Sequence, residues 1–335
     1  MEKPLLIGRS RCHLELLERI EKIAPTDVEV LITGPTGSGK ELYAQYLHAL
    51  SARRERKFVA INCGAIPLEL FENEMFGHVG GAYTGAQSSS EGLVTEADGG
   101  TLFLDEVDSL ALPAQVKLLR FLQQKEYRRL GNSRIQRVDV RVVAATNADL
   151  HSAVQCRSFR EDLYYRLRVV PIDVPPLRER VEDIPLLIDE YADRISDAYR
   201  LPRVTLAQRT LEAMMSYAWP GNVRELENCM KFLTCLQLAR AVDKYDLPLP
   251  DLQPPARRAT DKNLTDQRFT EARDALVSDF EKRYVLEALR KTNGNITQAA
   301  EEAGEYRKKI ARLMKKHGIG LVEGVPGASV KPGAA

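Results

Sequence analysis

In the first part of the chain, stretches with the hydrophobic period of helices alternate with short apolar runs typical of strands. Helical spacing near the start places apolar side chains at Leu14, Leu17, Ile20 and Ile23. Four short, mostly apolar runs then recur between helical stretches, at residues 28–32, 57–63, 101–106 and 141–147. Runs of this length, rich in β-branched residues, are typical of buried parallel strands. The pattern therefore predicts an α/β domain in which a parallel sheet is flanked by helices.

The strand pattern stops at Pro175-Pro176, and the chain then becomes helical. Residues 183–239 keep a helical period, whereas residues 251–268 are polar, proline-bearing and aperiodic, which is typical of a linker. A long amphipathic helix follows, and then a short helix capped by Asn295, a turn at Gly304 and a final helix. Short helix, glycine turn and final helix predict a small all-α module of the helix-turn-helix kind.

Composition limits the compartment and the partners. The chain has 335 residues, a formal net charge of +1 and 44% hydrophobic residues, so nucleic-acid binding requires a local basic patch. No apolar run approaches the roughly 20 residues that span a bilayer, and the N-terminus has no signal-peptide pattern. The five cysteines form no CxxC pair, which favours free thiols in a reducing cytoplasm. We expect a cytoplasmic protein without membrane insertion.

A glycine-rich stretch directly after the first strand has the form of a phosphate-binding loop. It comprises Gly34, Pro35, Thr36, Gly37, Ser38, Gly39, Lys40 and Glu41. Glycines let backbone N–H groups surround phosphate oxygens, and the following helix adds its positive N-terminus. Lys40 is expected to reach the β- and γ-phosphates. Glu41 stands where Ser or Thr would place a hydroxyl on Mg²⁺, so the loop is either defective or of a subfamily that binds the metal differently.

Polar residues end the later strands, at the edge where ligands bind in open α/β sheets. Asp105 and Glu106 follow a buried run, where two carboxylates are costly unless they bind a cation or do chemistry. We expect Asp105 to hold Mg²⁺ and Glu106 to orient and deprotonate the attacking water. Asn62 is a candidate to face the nucleotide, with a turn asparagine as the alternative. Thr146 and Asn147 are candidates to sense the γ-phosphate.

A loop of small residues, Gly77–Ala86, lies between the second strand and the acidic strand. Such a composition does not form a buried helix, and it carries Tyr83 beside Thr84. An exposed aromatic ring on a mobile loop favours a contact function over a plain flexible linker.

Three arginines are further candidates. Arg160 and Arg166 are six positions apart, too far for one i,i+4 face, and are either surface ion-pair partners or fingers offered to a neighbouring subunit's phosphate. Residues 219–226 read as a helix start that aims Arg224.

The final helix is basic along its length. Its cations are Arg307, Lys308, Lys309, Arg312, Lys315 and Lys316, with no acid among them. The second helix of a helix-turn-helix enters the major groove of DNA. A merely solvated basic face is the alternative, but the small-residue first helix and the turn favour binding of double-stranded DNA.

Taken in order, these motifs resemble the bacterial enhancer-binding proteins, the AAA+ activators of sigma-54 RNA polymerase, over roughly residues 5–319. The phosphate loop with Glu41 is that family's form, so the glutamate is the subfamily's residue. The second signature is similar to the family's sigma-contacting loop, with Tyr in place of the usual Phe, at Gly81, Ala82, Tyr83, Thr84, Gly85 and Ala86.

The resemblance implies roles for residues singled out above. Asn62 would couple the catalytic glutamate to nucleotide state, and Thr146 with Asn147 would form sensor I. Arg160 and Arg166 would be arginine fingers that act across a subunit boundary.

The resemblance also implies an architecture, with Arg224 as sensor II in a lid. The expected parts are an AAA+ α/β nucleotide-binding subdomain at 5–175, a helical lid at 176–250, a linker at 251–268, a Fis-type helix-turn-helix domain at 269–320 and a flexible tail at 321–335. It implies ATP with Mg²⁺, a homo-oligomer of hexamer type, enhancer DNA and the sigma-54 RNA polymerase holoenzyme as partners. Nearly nothing precedes the AAA+ part, so we expect an orphan activator controlled by a separate regulatory protein in trans.

One departure from the family pattern concerns the DNA module. Glu305 stands where the family has an apolar residue, and Tyr306 where it has a helix cap. Loss of a cap costs about 1 kcal/mol.

Three other classes compete with the activator. Another AAA+ DNA machine, such as a replication initiator or helicase loader, would explain the ATPase and the DNA module but not residues 81–86. A DNA-binding repressor with a vestigial nucleotide site conflicts with intact Lys40, Asp105 and Glu106. A small-molecule kinase needs no helix-turn-helix.

Overall fold

The computed structural model describes residues 3–82, 88–249 and, between 277 and 319, all but 279, 280, 283, 287, 290, 291, 293, 294, 305 and 318. The chain divides into two compact units, Met1–Leu252 and Gln253–Ala335. The predicted linker, the predicted tail and Glu305 lie outside the described residues.

The first unit is built on a parallel sheet, as predicted. Its strands are β1 (Val30–Thr33), β2 (Phe58–Asn62), β5 (Thr101–Asp105), β8 (Arg141–Thr146) and β9 (Val170–Asp173), in the order β2-β5-β8-β1-β9. Two short antiparallel pairs accompany it, β3 (Gly77–His78) with β4 (Ser90–Glu91) and β6 (Glu126–Tyr127) with β7 (Gln136–Arg137). Because the long strands are parallel, their carboxyl ends meet at one edge, where Asn62 pairs with Asp105 and Thr33 with Thr146.

Helices cover both faces of this sheet. They are α1 (Arg11–Ile23), α2 (Lys40–Ala49), α3 (Leu68–Phe76), α4 (Leu93–Glu96), α5 (Leu112–Gln124), α6 (Leu150–Gln155) and α7 (Glu161–Leu167). Successive strand residues enter different cores, since Leu31 packs in one cluster and Val30 and Ile32 in the other. Both faces are therefore dry, which explains the continuous apolar runs in the sequence.

The face of α1 differs from the predicted stripe. The helical spacing predicts Leu14 in the apolar stripe, but its side chain is 45% exposed, whereas Leu16 and Ile20 are buried. Residues at i and i+4 share a helix face, so the buried stripe runs through Leu16 rather than Leu14.

A helical region closes the first unit. It contains α8 (Ile184–Tyr199), α9 (Gln208–Ser216) and α10 (Asn222–Leu236), around a core of its own that includes Trp219. The indole N–H of Trp219 donates to the carbonyl of Met214 at 2.7 Å, so the buried ring leaves no unpaired donor.

The second unit contains α11 (Ile296–Glu302) and α12 (Arg307–Lys316). Asn295 caps α11 by accepting from the backbone N–H of Thr297 at 3.1 Å, and Gly304 turns the chain at φ +63°. Ala299, Ala300, Ile310 and Met314 pack together with Val285 and Leu289. The predicted helix–turn–helix arrangement is present. Within the described ranges of both units, no helix combines the length and the apolarity required to cross a membrane.

Candidate functional site

The loop between β1 and α2 is shaped to hold an anion. Gly37 and Gly39 have φ +75° and +97°, which side-chain-bearing residues rarely adopt. Within the described residues, the N–H groups of Gly37, Gly39, Lys40 and Glu41 donate to no protein acceptor. Several unpaired donors at the positive end of a helix are the donor set that phosphate oxygens require.

Lys40 lies inside this loop. Its ammonium donates to the carbonyls of Gly34 at 2.9 Å and Pro35 at 3.3 Å. Burial lowers the pKa of the lysine, and the nearby carboxylates of Asp105 and Asp108 oppose that effect. The cation therefore stands between the loop and the acidic end of β5.

Asp105 and Glu106 occupy the carboxyl end of β5. Asp105 Oδ1 accepts from the Glu106 N–H at 3.0 Å, and burial raises the pKa of Asp105 while Lys40 acts against that rise. Glu106 has φ +54°, a left-handed conformation that is uncommon for glutamate. Backbone strain of this kind concentrates at functional sites.

Asn62 and Glu106 meet at Gly64. The carboxamide oxygen of Asn62 accepts from the N–H groups of Gly64 at 2.8 Å and Ala65 at 3.0 Å. A Cβ at Gly64 would lie 2.6 Å from Glu106 Oε2 and 3.3 Å from Asn62 Oδ1. The Glu106 carboxylate can therefore occupy this position only because residue 64 has no side chain.

The two residues at the end of β8 have different surroundings. Thr146 is fully buried, donates to Asp108 Oδ1 at 2.5 Å and accepts from the N–H of Ala148. Asn147 Nδ2 donates to Thr36 Oγ1 of the phosphate loop at 2.7 Å. Asn147 thus contacts the loop directly, whereas Thr146 fixes Asp108. Sequence reasoning overlooked Asp108, although it lies three positions after Asp105.

The donor set at this edge fits a hard cation. Asp105 supplies carboxylate oxygen, and such ions complete their shells with phosphate and water oxygens. No group of three or more His, Cys, Asp or Glu side chains able to cage a metal occurs among the described residues.

The start of α10 docks on the phosphate loop. Asn222 Nδ2 donates to the carbonyl of Thr36 at 3.0 Å, and its Oδ1 accepts from the N–H of Leu177 at 2.9 Å. The N–H groups of Val223 and Arg224 donate to the Gly37 carbonyl. The charge of the Arg224 side chain lowers the pKa of both Lys40 and Asp105. The helix start that carries Arg224 therefore lies beside the phosphate loop, and the role of Arg224 at the nucleotide stays a prediction.

Arg180 is a buried contact to the loop that sequence reasoning missed. Its guanidinium donates to the Ser38 carbonyl at 2.9 Å and to the Tyr43 hydroxyl at 3.2 Å. The same hydroxyl lies 2.8 Å from His13 Nδ1. Close by, Asp183 accepts from the N–H and the hydroxyl of Ser10. The N-terminal segment, α2 and the helical region are therefore joined behind the loop.

Arg160 and Arg166 lie at the two ends of α7 and do not join the loop of their own chain. Arg160 is exposed and forms a two-bond ion pair with Asp162. Arg166 Nη2 donates to Glu29 Oε1 at 2.9 Å and to the Leu122 carbonyl at 3.0 Å. Glu29 precedes β1, so Arg166 is held at the sheet edge opposite the phosphate loop.

The predicted sigma-contacting loop is described only at its base. Gly81 and Ala82 are described, whereas Tyr83, Thr84, Gly85 and Ala86 lie outside the described residues. The base is the β3–β4 pair, and the carbonyl of Leu130 accepts from the N–H of Val79 at 3.0 Å. The β6–β7 hairpin, which the sequence analysis missed, thus braces this base.

The basic helix presents its cations to solvent. Ile310 and Met314 face the core, whereas the six predicted DNA-contacting residues are exposed: Arg307, Lys308, Lys309, Arg312, Lys315 and Lys316. Lys316 also donates to Glu281 at 2.7 Å. The face is fitted to a polyanion.

Comparisons with protein families cover most of the chain. A model described as the sigma-54 interaction domain matches residues 6–173. A model of the AAA+ ATPase lid domain matches residues 178–264, and one described as bacterial regulatory protein, Fis family, matches residues 276–317.

Individual relatives extend over the same region. The chain is 43% identical over 311 residues to the transcriptional regulatory protein ZraR of Salmonella typhimurium, covering 93% of this chain and 68% of that protein. It is 40% identical to the DNA-binding transcriptional regulator NtrC of Rhizobium meliloti, covering 94% and 70%. The crystal structure of NtrX from Brucella abortus in complex with ATP superposes with a TM-score of 0.70 at 34% identity, covering 94% of this chain and 70% of that one.

Proposed function

The chain belongs to the family of sigma-54 transcriptional activators, and we propose that it uses ATP hydrolysis in an oligomeric ring to convert closed promoter complexes of sigma-54 RNA polymerase into open ones. As a member of the family it is an AAA+ ATPase with an ATP-binding domain and a Fis-type helix-turn-helix DNA-binding region.

Hydrolysis is assigned to the edge where the strands of the sheet end. The unpaired N–H groups of the loop and Lys40 bind the phosphates of ATP. Glu106 orients the attacking water and takes its proton, at a position fixed by the backbone of β5. Mg²⁺, held by Asp105 together with phosphate oxygens, would neutralise charge on the phosphates.

Completion of the site requires a second copy of the chain. Arg160 and Arg166 lie away from their own phosphate loop, and Arg166 is held at the opposite sheet edge. Arginine fingers supplied by a neighbour stabilise charge on the transferred phosphoryl group. This arrangement supports a closed ring, of hexameric type in this family, in which each site takes its arginines from the adjacent protomer.

The convergence of Asn62 and Glu106 on Gly64 carries the proposal. Asn62 accepts from the Gly64 N–H, and Glu106 Oε2 lies beside the same residue, so a movement of Glu106 on hydrolysis would reach Asn62 through Gly64. Three residues after Ala65, α3 begins, and α3 ends where β3 opens the sigma-contacting loop. We infer that nucleotide state moves residues 81–86 through this short path.

The remaining assignments concern the setting of the activator. The basic face of α12 binds enhancer DNA upstream of the promoter, so the ring is delivered near the polymerase. Control falls to a separate regulatory protein acting in trans, in the cytoplasm where polymerase and DNA are found.

The test is promoter opening by purified sigma-54 holoenzyme, measured as permanganate-reactive thymines in the presence of ATP. The wild-type chain is compared with Thr84→Ala and with the matched control Thr26→Ala, whose threonine is exposed at the end of α1. We expect opening with wild type and control, loss of opening with Thr84→Ala, and similar ATP turnover in all.

Two outcomes contradict the proposal in different ways. Full opening by Thr84→Ala removes the assigned role of the loop. If the wild type hydrolyses ATP and binds DNA but opens no sigma-54 promoter, the chain is an AAA+ DNA machine for another target.

A further inference from the structure

We propose that Tyr306 is a specificity-determining residue of the DNA-binding module, whose ring contacts the methyl group of a thymine in the major groove. The inference rests on the assignment of α12 as the helix that enters DNA. It adds a base preference to a surface whose assigned DNA binding is otherwise electrostatic and independent of sequence.

Tyr306 occupies the N-cap of α12 and is 84% exposed. Its backbone is extended, with φ −77° and ψ 140°, and its side chain caps none of the helix N–H groups. In a helix-turn-helix, the N-terminal residues of the second helix are the ones that contact base edges. The ring is therefore carried at the end of the helix that meets the bases.

The other helix of the module shows what this position usually does. Asn295, the N-cap of α11, accepts from the N–H groups of Thr297 and Gln298. A tyrosine in the equivalent place on α12 leaves such donors without a side-chain partner and exposes a large ring to water. Both features lower the stability of the isolated module. Within the described part of the chain, the ring has no aromatic or cation–π partner that would compensate.

The charge around Tyr306 selects the kind of partner. Arg307 and Lys308 follow it directly, are exposed, and belong to a helix without a single carboxylate, whereas one acidic residue, Glu305, precedes Tyr306 in the sequence. This surface attracts a polyanion and disfavours a cationic or purely apolar protein partner. The tyrosine adds no charge, and a contact of its hydroxyl with a phosphate would carry no base preference. A base preference of Tyr306 therefore comes from apolar contact of its ring.

Thymine offers the matching group. In the major groove it alone among the four standard bases presents a methyl, and apolar side chains recognise T by packing on it. A ring at the N-cap fills the space in which a Ser or Asn cap would leave water. We therefore expect the preferred half-site to hold a thymine at the step that faces Tyr306.

The experiment uses the full-length chain and duplexes selected by it from a random pool. Each thymine of the selected duplex is replaced in turn by deoxyuridine, which removes only the methyl, and Kd is measured by fluorescence anisotropy at fixed salt. Burial of one methyl-sized group predicts that wild type loses about fourfold in affinity per half-site at one position. Tyr306→Phe should keep this loss, and Tyr306→Ser should abolish it.

Controls separate this contact from folding and from charge. Tyr199→Ser alters an exposed tyrosine of the first unit and should leave the deoxyuridine profile unchanged. Tyr306→Ser restores a capping hydroxyl, so melting followed by circular dichroism should show no loss of helix; if it does, Tyr306→Asn takes its place.

The outcomes distinguish failure of the thymine contact from failure of DNA binding by α12. If wild type shows no deoxyuridine effect at any thymine, or Tyr306→Ser keeps the full effect, the thymine contact is wrong although DNA binding stands. If wild type selects no sequence and Lys308→Ala does not weaken its DNA binding, the DNA-binding role of α12 fails and the inference with it.

Discussion

The glycine at position 64 sets the position of the proposed general base. Any side chain there would meet Glu106 Oε2 at 2.6 Å, and the backbone of Gly64 is not in the left-handed region that would itself demand glycine. Glycine is thus required at position 64 because a side chain would collide with the Glu106 carboxylate, and not because of its backbone conformation. Catalytic geometry of this kind tolerates errors of only about 1 Å.

Gly64→Ala should therefore slow ATP hydrolysis and leave folding intact. We expect kcat to fall about tenfold to a hundredfold, because the methyl displaces Glu106, while the Kd for ATP changes little. Phosphate release and the binding of a fluorescent ATP analogue separate the two effects. Unchanged kcat with a stable, folded variant would show that Glu106 does not act from its position beside Gly64.

His13 is a buried residue with a pH consequence. Its ring is almost wholly inaccessible, and Nδ1 lies 2.8 Å from the Tyr43 hydroxyl. Burial lowers the pKa of His13 below 6.5, and the Asp183 carboxylate opposes the shift only in part. The folded protein therefore holds His13 neutral where the unfolded chain begins to protonate it.

Stability should consequently fall as the pH drops below about 6.5, because the unfolded state binds the extra proton. His13→Gln should reduce the slope of that part of the curve of unfolding free energy against pH, measured by urea denaturation from pH 7.5 to 5. The remaining slope comes in part from His48, whose pKa is also lowered by burial. His151→Gln, at an exposed histidine, should keep the wild-type slope. Equal slopes for wild type and His13→Gln would show that this histidine does not drive the acid sensitivity.

At the scale of elements, the junction between α10 and the phosphate loop joins the helical region to the loop. Asn222 donates to the Thr36 carbonyl and accepts from Leu177, and its φ of +54° turns the chain into the helix. One side chain thus ties the loop to two parts of the helical region. The amide suits this place because it carries a donor and an acceptor on one short side chain.

Asn222→Asp tests this junction without a change of size. Aspartate keeps the acceptor for Leu177 but replaces the donor to the Thr36 carbonyl by a repelling oxygen. We expect ATP affinity to fall about tenfold, the worth of a buried hydrogen bond, and the melting temperature to fall as well, because Asn222 is buried and a buried carboxylate costs stability. Asn228→Asp, exposed on the same helix, is the control. Equal ATP affinity of the two variants would show that the contact of Asn222 with the loop does not affect ATP binding.

At the scale of the whole molecule, the positions of the two arginines, Arg160 and Arg166, indicate that a single chain does not form a complete active site. Arg160 is paired with Asp162 and Arg166 with Glu29, so within one protomer neither reaches the phosphate loop. A ring in which the arginines act on the neighbour predicts complementation between damaged subunits.

Mixed rings give the sharpest form of this prediction. Glu106→Gln lacks the base and Arg160→Ala lacks the arginine, so each alone should be inactive. Mixed in equal amounts, about a quarter of sites pair an intact base with an intact neighbouring arginine, and ATP turnover should recover to roughly that share. Recovery should be absent if Arg160 acts within its own chain.

Much of the site follows from residues close together in sequence. The loop Gly34–Glu41, the acidic end Asp105–Glu106 and the α11–α12 module are local patterns, and each lies between or on the elements predicted for it. The roles of the loop and the acidic pair stay predictions. The links among them were not predictable in this way. Asn222 and Thr36 are 186 positions apart, and Arg180 and Ser38 are 142 apart, so no spacing rule joins them.

The sequence by itself determined the fold class, the phosphate loop, the strand-end polar residues and the basic helix, because backbone propensity, hydrophobic period and turn chemistry act over neighbouring residues. Tertiary structure alone decided which of these groups meet. Thr146 contacts Asp108, and Asn147 contacts the phosphate loop. Glu106 lies beside Gly64, and Arg166 pairs with Glu29 at the opposite end of the sheet. Contacts of that kind depend on the order and register of strands, which local preference does not specify.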